Sequence, residues 1–507
     1  MYWPFFRDYK PSEEFTELFE KYGLSDEQRF PDGIIEMQKS ALLNKSPLEC
    51  ILIGELFQTN EGYSTAAYMF RLAGDHPMAL RNLGAMHRDG VGVKQDFKKA
   101  VECFTKAADL GDIPSVGDLG VMYLNGRGVE VDIVKALSLF RLAASAGLKS
   151  SRCNLALVLL KGGGGVERDE VQAISMLHEL ADEGDGDAQI LLGRIYQNGL
   201  KGMREIKDSK KALEFFELAA ANGKAQALFL IGLMHHRGEG THQDFYKVIR
   251  FYEMAAEKGD VEASVALGVC YWKGEGIPED FEKAAHLFKQ AADKGNSLAI
   301  FHLGVMAMTG EGMEMNEVEG AKMVSTAASM GCALAQFALA MLHLEGKGVE
   351  QDVDKAVHFL EEAGNRGHLG AMVELGVMFQ RGDLVPLDAR RAIFWYEKAA
   401  DLGDAESLCN LGTIYSRGDG GVPIDPEKAF NFFKRAALHG HAVSLYNLGV
   451  SYERGAGVSR DERKAAELFH LAALQNFSQA KFNLGSLYEE GKGVANDWAK
   501  AVAWKKV

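Results

Sequence analysis

The 507-residue chain has only 10 prolines, set against 56 glycines. That ratio excludes collagen and Pro-rich linkers, and the glycine excess asks for a structural reason. There are six cysteines, Cys50, Cys103, Cys153, Cys270, Cys332 and Cys409, dozens of residues apart with no CxxC. They read as reduced, buried thiols of a cytoplasmic protein rather than a disulfide frame. No run approaches the roughly 18 apolar residues of a membrane helix. The N-terminus (Met1, Tyr2, Trp3, Pro4, Phe5, Phe6, Arg7, Asp8) has no basic stretch followed by an apolar one, so it does not read as a secretory signal. Positive charge is also scarce: 56 Lys and Arg face 71 Asp and Glu, a formal charge of -15. Such a surface disfavours nucleic acid and anionic membrane as partners. The length exceeds the roughly 250–300 residues at which one hydrophobic core stops growing, so the chain is several domains or a repeat array.

Self-comparison favours the array. A Leu-Gly pair or close variant recurs, its second residue at Gly84, Gly120, Ala156, Gly193, Gly232, Gly268, Gly304, Ala340, Gly376, Gly412, Gly449 and Gly485. The steps are mostly 36 residues, otherwise 37 or 39. Twelve units therefore fill 79–507. Within each, a helical stretch carries the pair, and a Gly-x-Gly turn such as Gly274/Gly276 usually follows. An Asp (Asn316 in one unit) then stands four residues before a small residue in a second helical stretch, which fits a helix N-cap. That stretch ends at a Gly, or at Asn476, the two residue types that best tolerate a left-handed helix stop. Most of the glycines are thus punctuation.

The mid-helix glycines need another reason, since each costs roughly 0.5–1 kcal/mol relative to Ala. They imply a partner helix too close for anything beyond a hydrogen or methyl. The second stretch offers paired alanines with a Phe between them, as in Ala284, Phe288 and Ala291. A lone unit of this kind cannot bury both its faces, so stability must come from stacking neighbours.

The unit Leu267-Gly268-Val269-Cys270-Tyr271, Gly274-Glu275-Gly276, Asp280, Lys283-Ala284, Phe288, Ala291-Ala292, Gly295 resembles the Sel1-like repeat family, a relative of the tetratricopeptide repeat. The resemblance covers 79–507, some 85% of the chain. It implies an all-α, right-handed solenoid of about twelve helix-turn-helix repeats. Departures are Val248 and Gly320 in place of the first second-helix Ala, and an expanded turn at Gly162 to Gly165. Residues 46–78 read as a divergent first repeat around Ile53-Gly54, Ala66, Phe70 and Ala73. Residues 1–45 read as an N-terminal helical cap, with helices at 11–22 and 33–44 and an aromatic run from Tyr2 to Tyr9. The chain stops at Val507, one residue before the next second-helix Ala is due, so the twelfth unit reads as incomplete.

No catalytic constellation stands out. HExxH, GxxxxGK[ST] and GxSxG are absent, and the Gly-x-Gly turns follow helices rather than strands. Ser478-Gln479-Ala480-Lys481 is an SxxK without an accompanying KTG. His87, His235 and His343 occupy a slot that holds Tyr in other units, which argues for packing. His236, His242 and Asp244 lie close in sequence, but no metal-ligand spacing recurs. No catalytic residue, metal or cofactor is expected.

The resemblance places first helices on the concave side of such a stack. By analogy with tetratricopeptide arrays, the groove-facing positions are two before the Leu and one, four and five after the Gly. The expected protein-binding groove comprises Leu124, Leu160, Phe229, His236, Trp272, Phe301, Met308, Phe337 and Leu344. An apolar strip flanked by Lys, Arg and Asn suits an extended peptide or amphipathic helix of another protein. The competing account is that these side chains fill the space between repeats. The function expected is thus a non-catalytic scaffold or adaptor. The alternatives are a self-assembling structural protein that stacks through its terminal repeat, and an enzyme or small-ligand binder with a pocket inside the superhelix.

Overall fold

The computed structural model describes residues 46–59, 62–200 and 206–505. The cap expected over 1–45, with its aromatic run, lies outside the described residues. Among those described there are 26 α-helices and no strand, with an isolated bridge between Gly163 and Val166 in the expanded turn. The contacts divide the chain into two compact units, the first ending at Asp244 and the second starting at Phe245.

The first unit opens with the pair Pro47–Thr59 and Tyr63–Leu72, four further pairs follow from Pro77 to Ala221, and the helix Ala225–Arg237 comes last. The second unit starts with Phe245–Glu257 and continues through seven pairs, from Val261–Lys273 with Phe281–Asp293 to Ser478–Glu490 with Trp498–Lys505. Counting the pair that starts at Pro77 as the first repeat, Val261–Asp293 is the sixth.

Local chemistry sets these boundaries. The Asp280 carboxylate accepts the backbone N–H of Lys283 at 3.0 Å, and Asn316 does the same for Glu319 at 3.0 Å. The Lys283 ammonium then lies 5.2 Å from the centre of the Tyr271 ring, so cap, lysine and tyrosine lock the turn. Asn476 is the one non-glycine with positive φ (63°) among the described residues, and it stands where other units have their stopping glycine.

Packing within a pair follows a size rule. A Cβ on Gly268 would lie 2.7 Å from Phe288 Cε1, and one on Gly120 would lie 2.7 Å from Phe140 Cε1. The glycine is the socket for a fully buried aromatic edge. Burying such a ring contributes roughly 2–3 kcal/mol, which outweighs the cost of the glycine. Where the socket is Ala156 or Ala340, the residue at the aromatic position is the smaller Leu177 or Leu360, both fully buried. The opening pair obeys the same rule, with a Gly54 Cβ only 2.5 Å from Phe70 Cε1.

The seventh repeat, Ser297–Thr309 with Glu317–Ser329, departs from this pattern. Val324 stands at its aromatic position and Gly320 replaces the small Ala. The two backbones close up until a Cβ on Gly304 would lie 2.8 Å from the Gly320 carbonyl oxygen. Met308 fills the space left above Gly320, and its side chain is only 7% exposed.

Candidate protein-binding groove

The nine residues expected to line a groove fall on both units. Leu124, Leu160, Phe229 and His236 belong to the first, and Trp272, Phe301, Met308, Phe337 and Leu344 to the second. Leu124 and Leu160 are half-buried against one core cluster built around Phe140, Leu159 and Leu177. Phe229 and His236 are half-buried on Ala225–Arg237.

In the second unit the sixth, seventh and eighth first helices, Val261–Lys273, Ser297–Thr309 and Ala333–Glu345, carry the remainder. The last two of these helices also touch each other directly. Trp272 is half-buried, and its Nε1–H donates to Glu311 Oε2 at 2.7 Å. Glu311 is the middle residue of the next repeat's Gly-x-Gly turn, so the Trp272 indole is set from one repeat further on. The first unit repeats the device, with Gln197 Nε2 donating to Glu239 Oε2 at 2.7 Å.

Trp272 meets His302 edge-on, with ring centres 5.5 Å apart, and Phe301 leans on the same His302 at 5.3 Å. His302 itself stacks on the buried Phe288 at 4.8 Å. Burial pushes His302 down to about 4, with the charge of Lys273 adding to the effect, so it is neutral near pH 7. Its Nδ1 is buried without a hydrogen-bond partner. Phe337 stacks on His368 at 4.6 Å, and the Nδ1 of His368 accepts the backbone N–H of Ala371 at 3.1 Å. Phe337 and Leu344 are half-buried against the core cluster of repeats eight to ten.

Met308 was expected on an exposed strip, but it is buried above Gly320 and offers little surface to a groove. Sequence reasoning also missed four participants. His302 and His368 position the aromatic rings. Arg88 occupies the slot four after Gly84, where an apolar residue stands in the next two repeats. It bridges Asp118 at 3.0 Å and Asp89 at 2.8 Å. Burial pushes the Asp118 carboxyl up, against the opposing pull of Arg88 and Arg81. A count of charge at the four groove positions would have found Arg88. Glu311 was detectable only as a Glu inside a Gly-x-Gly turn.

His87, His235 and His343 are buried. Lys481 of the SxxK stretch donates to Asn476 Oδ1 at 3.0 Å. Among the described residues no three His, Cys, Asp or Glu side chains come together as metal ligands, His236, His242 and Asp244 included. Likewise, no helix among them is long and apolar enough to cross a membrane.

The family model for the Sel1 repeat matches twelve times, from residues 77–112 to 478–504. The chain therefore belongs to the Sel1 repeat family, and its fold is an all-α solenoid of about twelve such repeats. It is similar to the DAP3-binding cell death enhancer 1 of Rattus norvegicus, 31% identical over 82 residues, which is 16% of this chain and 15% of the relative. The chain thus matches less than a fifth of that relative's length. Among solved structures it is similar to a protective antigen of uropathogenic Escherichia coli with 27% identity, a TM-score of 0.44, and coverage of 86% of this chain and 84% of the other. A Sel1 repeat protein from Oxalobacter formigenes is also 27% identical, with a TM-score of 0.42 and coverage of 66% and 93%.

Proposed function

We propose that the protein is a non-catalytic scaffold that takes a peptide or helix of a partner protein on its first-helix faces. The observation that carries this reading is the set of half-exposed apolar side chains held in fixed positions in the second unit. Trp272 is tied by Glu311, Phe301 leans on His302, and Phe337 stacks on His368. Side chains that only fill space need no such ties. Rings immobilised before binding lose less entropy when a partner arrives, and tryptophan is among the residue types that dominate interface energies. Leu344 continues this surface, and Leu124, Leu160, Phe229 and His236 form the corresponding surface of the first unit. No cofactor enters this function. Six unpaired thiols, all buried or half-buried, support residence in a reducing compartment such as the cytoplasm.

The test compares proteins captured by the wild-type chain with those captured by a Trp272→Ala/Phe301→Ala variant of unchanged circular dichroism. Specific partners should drop out of the variant's set. An identical set, each at unchanged affinity, would sink this reading. Capture of the chain's own copies alone would favour the self-assembling alternative.

A further inference from the structure

The first helices of repeats nine, ten and eleven, Leu369–Arg381, Ala405–Arg417 and Ala442–Arg454, each end on an arginine. Arg381, Arg417 and Arg454 hold one register, five residues past Gly376, Gly412 and Gly449, and all three are exposed. Among the described residues none of the three makes an ion pair or a side-chain hydrogen bond. Arg381 acts only at a distance, on the hydroxyl of Tyr396. Some other arginines find carboxylates, as Arg88 does with Asp118, Arg152 with Glu183 and Arg391 with Glu361, while Arg141, Arg194, Arg250 and Arg390 find none among the described residues. What sets the three apart is their shared register at the ends of consecutive first helices. In a chain of formal charge -15 carboxylates are abundant, so three aligned, unpaired guanidiniums need a reason.

The helix end alone does not supply it. A cation there gains roughly 0.3–1 kcal/mol from the helix dipole. The equivalent residues in repeats seven, eight and twelve are nevertheless Thr309, Glu345 and Glu490. The carboxylates nearest in sequence on the same helices, Glu374 and Glu453, bridge to none of the three.

We propose that this part of the second unit binds an acidic, extended segment of a partner protein, one carboxylate to each arginine. The proposal rests on the reading that first-helix faces take polypeptide, and it names the chemistry of what they take. Guanidinium binds carboxylate in a two-pronged geometry that a free side chain can adopt without breaking an existing pair. These first helices make little direct contact with one another, so they stand at or beyond the roughly 8–10 Å of packed helices, and an extended chain advances about 3.3 Å per residue. The matching segment therefore carries an acidic residue at about every third position.

The probe is a fluorescein-labelled Glu-Ser-Gly repeat peptide of about twelve residues, followed by anisotropy with the full chain. Binding should weaken with added salt. It should fall about ten-fold or more for the Gln-Ser-Gly peptide and for the triple variant Arg381→Gln/Arg417→Gln/Arg454→Gln. An Arg390→Gln/Arg435→Gln control, which removes two exposed arginines from second helices, should bind as wild type. Equal binding by the triple variant overturns the proposal. So does the absence of binding by wild type, or binding seen only when phosphoserine replaces Glu. If the triple variant also retains the captured partners that Trp272→Ala/Phe301→Ala loses, the acidic-segment proposal fails while the protein-binding reading stands.

Discussion

Trp272 and Glu311 are joined across a repeat boundary by a 2.7 Å hydrogen bond from Nε1–H to Oε2. The residue that offers an apolar surface is therefore oriented by the turn of the neighbouring repeat. Removing Glu311 should loosen the indole without unfolding the array. We expect Glu311→Ala to cost about 1 kcal/mol in stability. It should also raise acrylamide quenching of Trp272 fluorescence, with Trp272→Phe as the blank. Unchanged quenching would show that the bond does not orient the ring.

The socket rule gives a compensation test. Gly268→Ala puts a methyl 2.7 Å from Phe288 Cε1 and should destabilise by about 1–3 kcal/mol. Adding Phe288→Leu recreates the Ala and Leu combination of repeats three and eight. The double variant should then be less destabilised than the sum of the single ones, by about 1 kcal/mol in urea unfolding. Strict additivity would count against the rule.

His302 sets a pH dependence. Its folded pKa of about 4 lies below the ordinary 6.5, so unfolding takes up a proton between those values. Its contribution is fully present above pH 6.5 and is lost as pH falls toward 4, amounting to about 2–3 kcal/mol. Urea midpoints at pH 7.5 and 4.5 should differ less in His302→Gln than in wild type. An equal difference in both would place the titration elsewhere.

Met308 separates core from groove. Met308→Ala should cost about 2–4 kcal/mol, because it opens a cavity above Gly320. Partner capture at temperatures where the variant stays folded should be unaffected. A surface role would give the opposite result, with little loss of stability and weakened capture.

Much of the fold was legible because short-range rules repeat twelve times. The asparagine or aspartate cap, the left-handed stop and the glycine that admits a ring each act within one unit, and a single unit such as Leu267 to Gly295 displays them all. The candidate surface was less legible, because exposure depends on residues not adjacent in sequence. Met308 and Trp272 occupy the same position in consecutive repeats and have opposite fates. Gly320 and Val324 leave a hole that draws Met308 inward, while Ala284 and Phe288 leave none beneath Trp272.

By itself, the sequence determined the period, the two helices of each unit, their caps and the close approach between them. Backbone conformation and local steric size are properties of a few neighbouring residues, which is why these could be read directly. Only the tertiary structure decided that Glu311 holds Trp272, that His302 stays neutral between aromatic rings, and that the contacts divide after Asp244. Those outcomes depend on which side chains from different repeats meet and on how much water their meeting removes.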